Sequence, residues 1–539
     1  MSAQLERIER IIDTAAIAKR IELLLPVGVR PRQLKVRTLM IGMVLAMLAG
    51  RDALLTDVLE ALLELPEADQ LRLGVIAQWQ HGPHTLTYRQ LEYTLRLIVA
   101  KLSKEEPDGS PSEALSAVLD ALLEASVQVL GEPATSSYAV DWTDQETWSR
   151  PPAKKPANPD TPAPTAADTA THAAADDDQQ PAHDAGDSGE SDQHPAHHDH
   201  RDREAAWGHR NTNHPGKSEL FYGYYLQALT TVRDEHGPQV PELVRRTQLA
   251  SCQHDPPPAI VPVIQRMAAS GTRIGDLLAD SGYAYRIAER WALPIRALGA
   301  QLIQDLHPND RGPHGTHHGA IASNGNLYCP ATPKPLLDLA PLHPAASAEQ
   351  TATHDRHCAE LARYKLSPIT GYDPDGYRRV ICPAAQQKLR CPHKPDSITL
   401  AHDHPTILAP PQHPPVCRQQ QTITVPPTVN AKTAQKHDYP SREHRRSYNR
   451  RTAAERTFST TNDRATNDLS RGWRRLFGLT PIALFTTTAL TARNLRIADA
   501  YNARQTENQR RAANGLPPKR RKRRRQTLDN LAATANAPP

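Results

Sequence analysis

The sequence is short of the residues that would cross-link it or carry it through a membrane. It has six cysteines in 539 residues. They are loosely spread, which is no disulfide framework and fits a reducing compartment better. Its most apolar run, Leu39 to Gly50, is bounded by Arg37 and Arg51 and is shorter than the roughly 18 residues a membrane span needs. The opening Met-Ser-Ala-Gln-Leu-Glu-Arg lacks the shape of a secretion signal. These absences lead to the expectation of a cytoplasmic protein with no membrane part. A further absence is local. Between Pro151 and Ala206 there is no Val, Ile, Leu, Met, Phe, Tyr or Trp. Such a stretch cannot bury enough apolar surface to offset its chain entropy, so a disordered low-complexity insert is expected over 151–206. His194, His197, His198 and His200 fall in it and read as part of a flexible polar tract rather than a metal site.

What is present is a long chain with uneven charge. Its length suggests two or three domains. Lys519 to Arg525 is an unbroken basic run, and Arg442, Arg445, Arg446, Arg450, Arg451 and Arg456 form a second basic set. Acid collects instead between Asp160 and Glu204. That asymmetry points to a polyanionic partner, most simply nucleic acid.

Residues 1–130 read as a helical domain. Leu39, Val44, Met47, Leu48, Leu54, Leu55, Val58, Leu62 and Leu63 recur at helical spacing, with breaks expected at Pro31 and Pro66. Ser110-Pro-Ser-Glu113 reads as a capping box with Ser110 as the cap. Arg30, Arg32, Lys35 and Arg37 tilt this domain towards DNA-end binding. Strands are expected at 136–140 ending in Asp141, at 220–232, at 244–251, at 274–279 ending in Asp280, and at 299–306, with a helix at 256–269. Residues 307–440 read as an irregular insertion domain with short strands near 377–381 and 421–425. A long helix from Ser441 is expected to carry Tyr448, Arg451 and Glu455. A last apolar helix over 481–500 and a basic disordered tail over 506–539 complete the chain. Strands, then a helix, then a strand ending in Asp suit an α/β fold with a mixed sheet and flanking helices.

Asp141, Asp280 and Glu455 matter because of what phosphodiester chemistry needs. It requires an activated nucleophile and a stabilised leaving oxygen, and two divalent cations roughly 3.5–4 Å apart supply both. Mg²⁺ prefers oxygen donors, so acidic side chains must converge from different elements. Asp144, Glu146 and Asp276 are rival carboxylates. Asp141 and Asp280 are preferred because each directly ends an apolar strand.

Tyr448-Asn-Arg-Arg451-Thr-Ala-Ala-Glu455 resembles the Y-x2-R-x3-E signature of bacterial insertion-sequence DDE transposases. Val140-Asp141-Trp-Thr143 and Leu277-Leu-Ala-Asp280-Ser-Gly-Tyr283 are similar to that family's two Asp strands. Trp473-Arg-Arg-Leu-Phe-Gly-Leu is similar to its C-terminal stretch. The resemblance covers about residues 136–500, interrupted by the insert. It implies an RNase H-like catalytic core and metal-dependent DNA cleavage and strand transfer. It also implies Mg²⁺ or Mn²⁺, two ions, held by Asp141, Asp280 and Glu455. Double-stranded DNA is the implied partner, with a homodimer in the DNA complex. Tyr448, Arg450, Arg451 and Arg464 are the expected DNA-contacting side chains. The family's fuller signature carries a Lys where this chain has Asn462, and Arg464 is the nearby base. A related nuclease and a non-catalytic DNA-binding protein are the alternatives. Cys382, Cys391 and Cys417, with Cys358 or His393, are candidates for a structural zinc. Cys382 and Cys391 lie nine apart, however, which favours free cysteines.

Overall fold

The computed structural model describes residues 3–26, 32–79, 82–151, 202–211, 218–343, 345–412, 415–417, 421–463 and 466–519. Most of the expected low-complexity insert, Arg30, Pro31, Arg464 and the basic run from Arg520 onward lie outside the described residues.

The first 130 residues are mainly helical, as their periodicity predicts. Helix Val36–Leu48 is buried almost all round, which explains its continuous apolar sequence without a membrane. Among the described residues no helix is long and apolar enough to cross one. A hairpin pairing Ile76–Trp79 with Gly82–Thr85 interrupts the helices and was not anticipated. Helix Glu113–Leu130 is capped by Ser112, whose hydroxyl accepts from Leu115 N at 3.0 Å. The expected cap, Ser110, is bound instead in a local network with Asp108 and Lys104. Arg32 pairs with Glu22, and Arg37 with Asp13 and Glu9. Two of the bases that suggested DNA contact are therefore partnered within the domain.

The central sheet is built from β1 (Ser137–Glu146), β2 (Ala206–Asn211), β3 (Ser218–Val232), β4 (Val244–Ser251), β5 (Asp276–Ala279) and β6 (Gln301–Gln304). The strand order is β2-β3-β1-β5-β6, and β4 also pairs with β3. β1 runs antiparallel to β3 and parallel to β5, and β5 runs parallel to β6. The sheet is therefore mixed. Period-two alternation divides its faces. Tyr138, Val140, Leu277, Ala279 and Leu302 pack with Ile260 and Ile264 of helix Pro256–Ala269. Ala139, Leu278 and Ile303 point the other way, onto Ala453 and Ala454 of helix Thr452–Thr461. Tyr224, Leu226 and Ala228 join the N-terminal helices and the long helix Leu479–Ala513 in the largest core.

Three boundaries differ from expectation by more than two residues or by a break. β1 is ten residues long, so Asp141 sits mid-strand rather than at its end. Antiparallel pairing with β3, from Ser137–Val232 to Glu146–Gly223, carries the strand past its apolar half. The helix expected from Ser441 is two α-segments, Arg442–Tyr448 and Thr452–Thr461, joined by a 3₁₀ turn over Asn449–Arg451. The last helix runs on to Ala513, and so takes in the start of the expected tail. An i,i+3 pair between Glu507 and Arg510 supports that solvated extension.

Between Leu306 and Ser441 lie two three-stranded antiparallel sheets. One holds Pro313–His317, Ala320–Ser323 and Asn326–Tyr328. The other holds Ser367–Pro368, Arg378–Ile381 and Thr422–Val425. Helix Ala348–Tyr364, closed by a Ser347/Gln350 capping box, lies between them in sequence and was not foreseen.

Candidate active site

Asp141 lies two residues beyond Ala139 on β1, so alternation puts both on the face covered by helix Thr452–Thr461. Ala453 and Ala454 are small, and their burial against Ala139, Leu278 and Ile303 lets that helix approach closely. The approach brings the preceding 3₁₀ turn over Asp141. Arg451 Nη1 donates to Asp141 Oδ2 at 3.1 Å, while Arg451 Nη2 donates to Glu455 Oε1. The guanidinium therefore bridges two of the three candidate carboxylates. The Arg451 side chain is 15% exposed and that of Glu455 52%, so one arm of the bridge is enclosed and the other faces solvent. The Tyr448 ring lies 5.5 Å from the Arg451 guanidinium, close enough for a cation–π contact.

Asp280 directly follows β5 and caps the short helix Ser281–Ala284. Its Oδ1 accepts from Gly282 N at 2.9 Å and Tyr283 N at 3.3 Å. The turn is held from the sheet side, where Tyr283 packs against Trp142 and Trp291, each with ring centroids 4.7 Å away. A Cβ at position 282 would lie 2.3 Å from the Trp142 ring, so any larger residue there requires the ring or the turn to shift.

Asp141 feels the charges of the other two acids. Burial is the largest influence on Asp141, and the negative charge of Asp280 adds to it. Together they push it up to about 6 despite Arg451, with Glu455 contributing in the same sense. Burial also raises Asp280, opposed by Arg451 and its two backbone donors, with Asp305 adding repulsion. Asp305 was missed at the sequence level. The parallel register pairs Ala279 with Gln304, so Asp280 and Asp305 leave adjacent strands side by side. The available signal was a carboxylate inside the strand expected at 299–306. Asp305 accepts from the Tyr439 hydroxyl at 2.6 Å.

The other expected residues separate clearly. Arg450 is buried, with Nη2 at 2.8 Å from Asp276 Oδ2 and 2.6 Å from Ser447 Oγ, and Nη1 at 3.0 Å from the Arg233 carbonyl. Its guanidinium is committed to partners within the chain. The rival Asp276 is likewise committed to Arg450 and Lys436. The rival Asp144 pairs with Arg210 at 3.1 Å, and Glu146 lies 3.5 Å from the same side chain. Asn462 caps the end of its helix and is exposed.

Among the described residues, no group of three or more His, Cys, Asp or Glu side chains is arranged to hold a metal ion as it stands. At the three acids, Arg451 lies between Asp141 and Glu455. The donor set itself suits a hard divalent cation. It has two enclosed carboxylates raised by burial, a third at the rim, and one bridging guanidinium as partial compensation. The zinc candidates are spread differently. Cys358 lies beside His354 and the Pro440 carbonyl, whereas Cys382, Cys391 and Cys417 are buried elsewhere in the insertion. No protein family, curated protein or solved structure matches the chain.

Proposed function

We propose that the chain is the DDE transposase of a bacterial insertion sequence, cutting and joining double-stranded DNA on an RNase H-like core. One observation carries the reading. Asp141, Asp280 and the Arg451–Glu455 pair, from three separate stretches of sequence, meet at one place on the mixed sheet. The topology supports it. β4, β3 and β1 are consecutive antiparallel neighbours, and β5 and β6 follow beside β1 in parallel. An RNase H-like core requires that order.

Asp141, Asp280 and Glu455 would hold Mg²⁺ or Mn²⁺, which when bound supplies an activated nucleophile and stabilises the leaving oxygen. Asp141 must be ionised to do so, against the burial and the Asp280 charge that raise its pKa. Arg451 has to leave Asp141 before that oxygen can be shared, and an arriving DNA phosphate offers the guanidinium a bidentate partner. Tyr448 is partly buried, and desolvation pushes its hydroxyl above its usual range. It supports Arg451 and is a poor nucleophile, so no covalent protein–DNA linkage is proposed. Action in the bacterial cytoplasm, and a homodimer that joins two DNA ends, belong to the same reading.

The test is a cleavage and strand-transfer assay on DNA carrying the ends that flank the gene, with Mg²⁺ or Mn²⁺. The parent is expected to cut and join. Asp141→Ala, Asp280→Ala and Glu455→Ala are expected to bind the ends and do neither. A parent that binds but never cuts is a non-catalytic DNA-binding protein, and one that cuts but never joins is a nuclease.

A further inference from the structure

Four of the six cysteines come together in the insertion, in a combination that the sequence spacing conceals. Cys329 ends strand Asn326–Tyr328 of one small sheet, and Cys382 ends strand Arg378–Ile381 of the other. Cys391 lies nine residues further on, and Cys417 closes a 3₁₀ turn just before strand Thr422–Val425. All four are buried and none is in a disulfide. Cys329, Cys382 and Cys391 share one apolar cluster with Tyr328, Leu361 and Leu389, and Cys417 belongs to the cluster of the second sheet.

We propose that Cys329, Cys382, Cys391 and Cys417 bind one structural Zn²⁺ that staples the two small sheets together. Two further observations support this. First, the thiols lie within electrostatic reach of one another in all six pairings. Cys329 feels Cys382, Cys417 and Cys391. Cys417 feels Cys382 and Cys391, and Cys391 feels Cys382. Second, Cys329 and Cys391 each begin a Cys-Pro turn. Thr332 N donates to the Cys329 carbonyl at 3.0 Å, and Lys394 N to the Cys391 carbonyl at 2.9 Å. In these turns the Ala331 and His393 amides also donate back to the sulfurs.

Four thiolates make a closed tetrahedral shell, the form of a structural rather than a catalytic zinc, with Zn–S near 2.3 Å. Reaching that distance requires the side chains to turn inward, because the sulfurs do not already form a shell. The need is physical. The strands of the two small sheets have two to five residues each, and so small a core gains from a metal staple. Cys358 and His393, the fourth donors considered from sequence, are replaced by Cys329. The His393 ring instead faces the Pro411 carbonyl at 3.3 Å. The inference does not rest on the transposase reading.

The test is the metal content of the full chain, expressed without a histidine tag and passed over chelating resin. One zinc per chain is expected, released by an organomercurial as four thiols react. Cys329→Ser and Cys391→Ser should lose the ion, while Cys252→Ser and Cys358→Ser should keep it. Less than stoichiometric zinc in the parent, or full retention in Cys329→Ser, overturns the proposal. If the serine variants do not fold, the parent loaded with Co²⁺ decides. Thiolate-to-cobalt charge-transfer absorption supports the site, and its absence overturns it.

Discussion

The central sheet and the insertion are stabilised by different means. The sheet buries alternate residues on two faces, and each face has its own covering helices. Its site sits where one of those helices lies closest, over Ala139 and Leu278. The insertion has short strands, many turns and two small cores, in which cysteine is a recurring buried residue. Periodic burial thus positions carboxylates in one region, while turn geometry gathers thiols in the other. Removing a carboxylate should therefore spare the fold and abolish chemistry. Removing a gathered thiol should do the reverse, loosening the insertion before it affects the sheet.

Substitutions can break this contrast. The largest expected effect is at the acids. Asp141→Ala, and Asp280→Asn, which keeps the helix cap, should lower cleavage at least about a thousandfold, some 4 kcal/mol of transition-state stabilisation, with little change in thermal unfolding. A parallel loss of fold would make them structural residues. Next is Arg450→Ala. Breaking a buried ion pair costs about 3–5 kcal/mol, so calorimetry should show a marked drop in melting temperature. DNA affinity of the surviving folded fraction should stay unchanged. Arg451→Ala, its neighbour, should do the opposite, lowering DNA affinity and the salt slope by about one. Equal salt slopes for the two variants would refute the division of labour drawn between them.

Gly282→Ala should cost about 1–3 kcal/mol through overpacking against Trp142. It should also reduce cleavage by displacing the turn that carries Asp280. Unaltered kinetics would show that the turn tolerates the shift. The smallest effect is one of pH. Burial raises Asp141 in the fold from its ordinary value of 3.8 to about 6. Ionising it therefore costs stability as pH rises through that window, and the cost is fully present above about 6. Asp141→Asn should raise the melting temperature by about 2 °C at pH 7.5, and the gain should disappear below pH 4. A gain that persists in acid would assign it to packing instead.

The same contrast explains what could be read from sequence. Strands β3 and β4 and helix Pro256–Ala269 were legible because β-branched, aromatic or apolar residues recur at the period of their element. The length of β1 was not, since its second half, Asp141 to Glu146, is polar and is drawn into the sheet by its partner strand. The spacing of Tyr448, Arg451 and Glu455 pointed to one helix, and the structure keeps Arg451 beside both of the others. That spacing could not show that Arg450, one residue along, turns inward to Asp276. Cys329 was not among the zinc candidates: it lies 53 positions before Cys382, and only tertiary structure brings the two near each other. Asp305 was hidden in the same way, since its importance comes from a parallel register with Asp280.

The central claim is that Asp141, Asp280 and Glu455 form one cation site, and iron(II) can locate it directly. With Fe²⁺ in place of Mg²⁺, ascorbate and peroxide generate radicals that cut the polypeptide beside the bound ion. The account predicts new chain ends near residues 141, 280 and 455, enhanced by DNA, suppressed by excess Mg²⁺ and absent in Asp141→Asn. Cuts confined to other parts of the chain, or cuts at these three places that survive in Asp141→Asn, would contradict it.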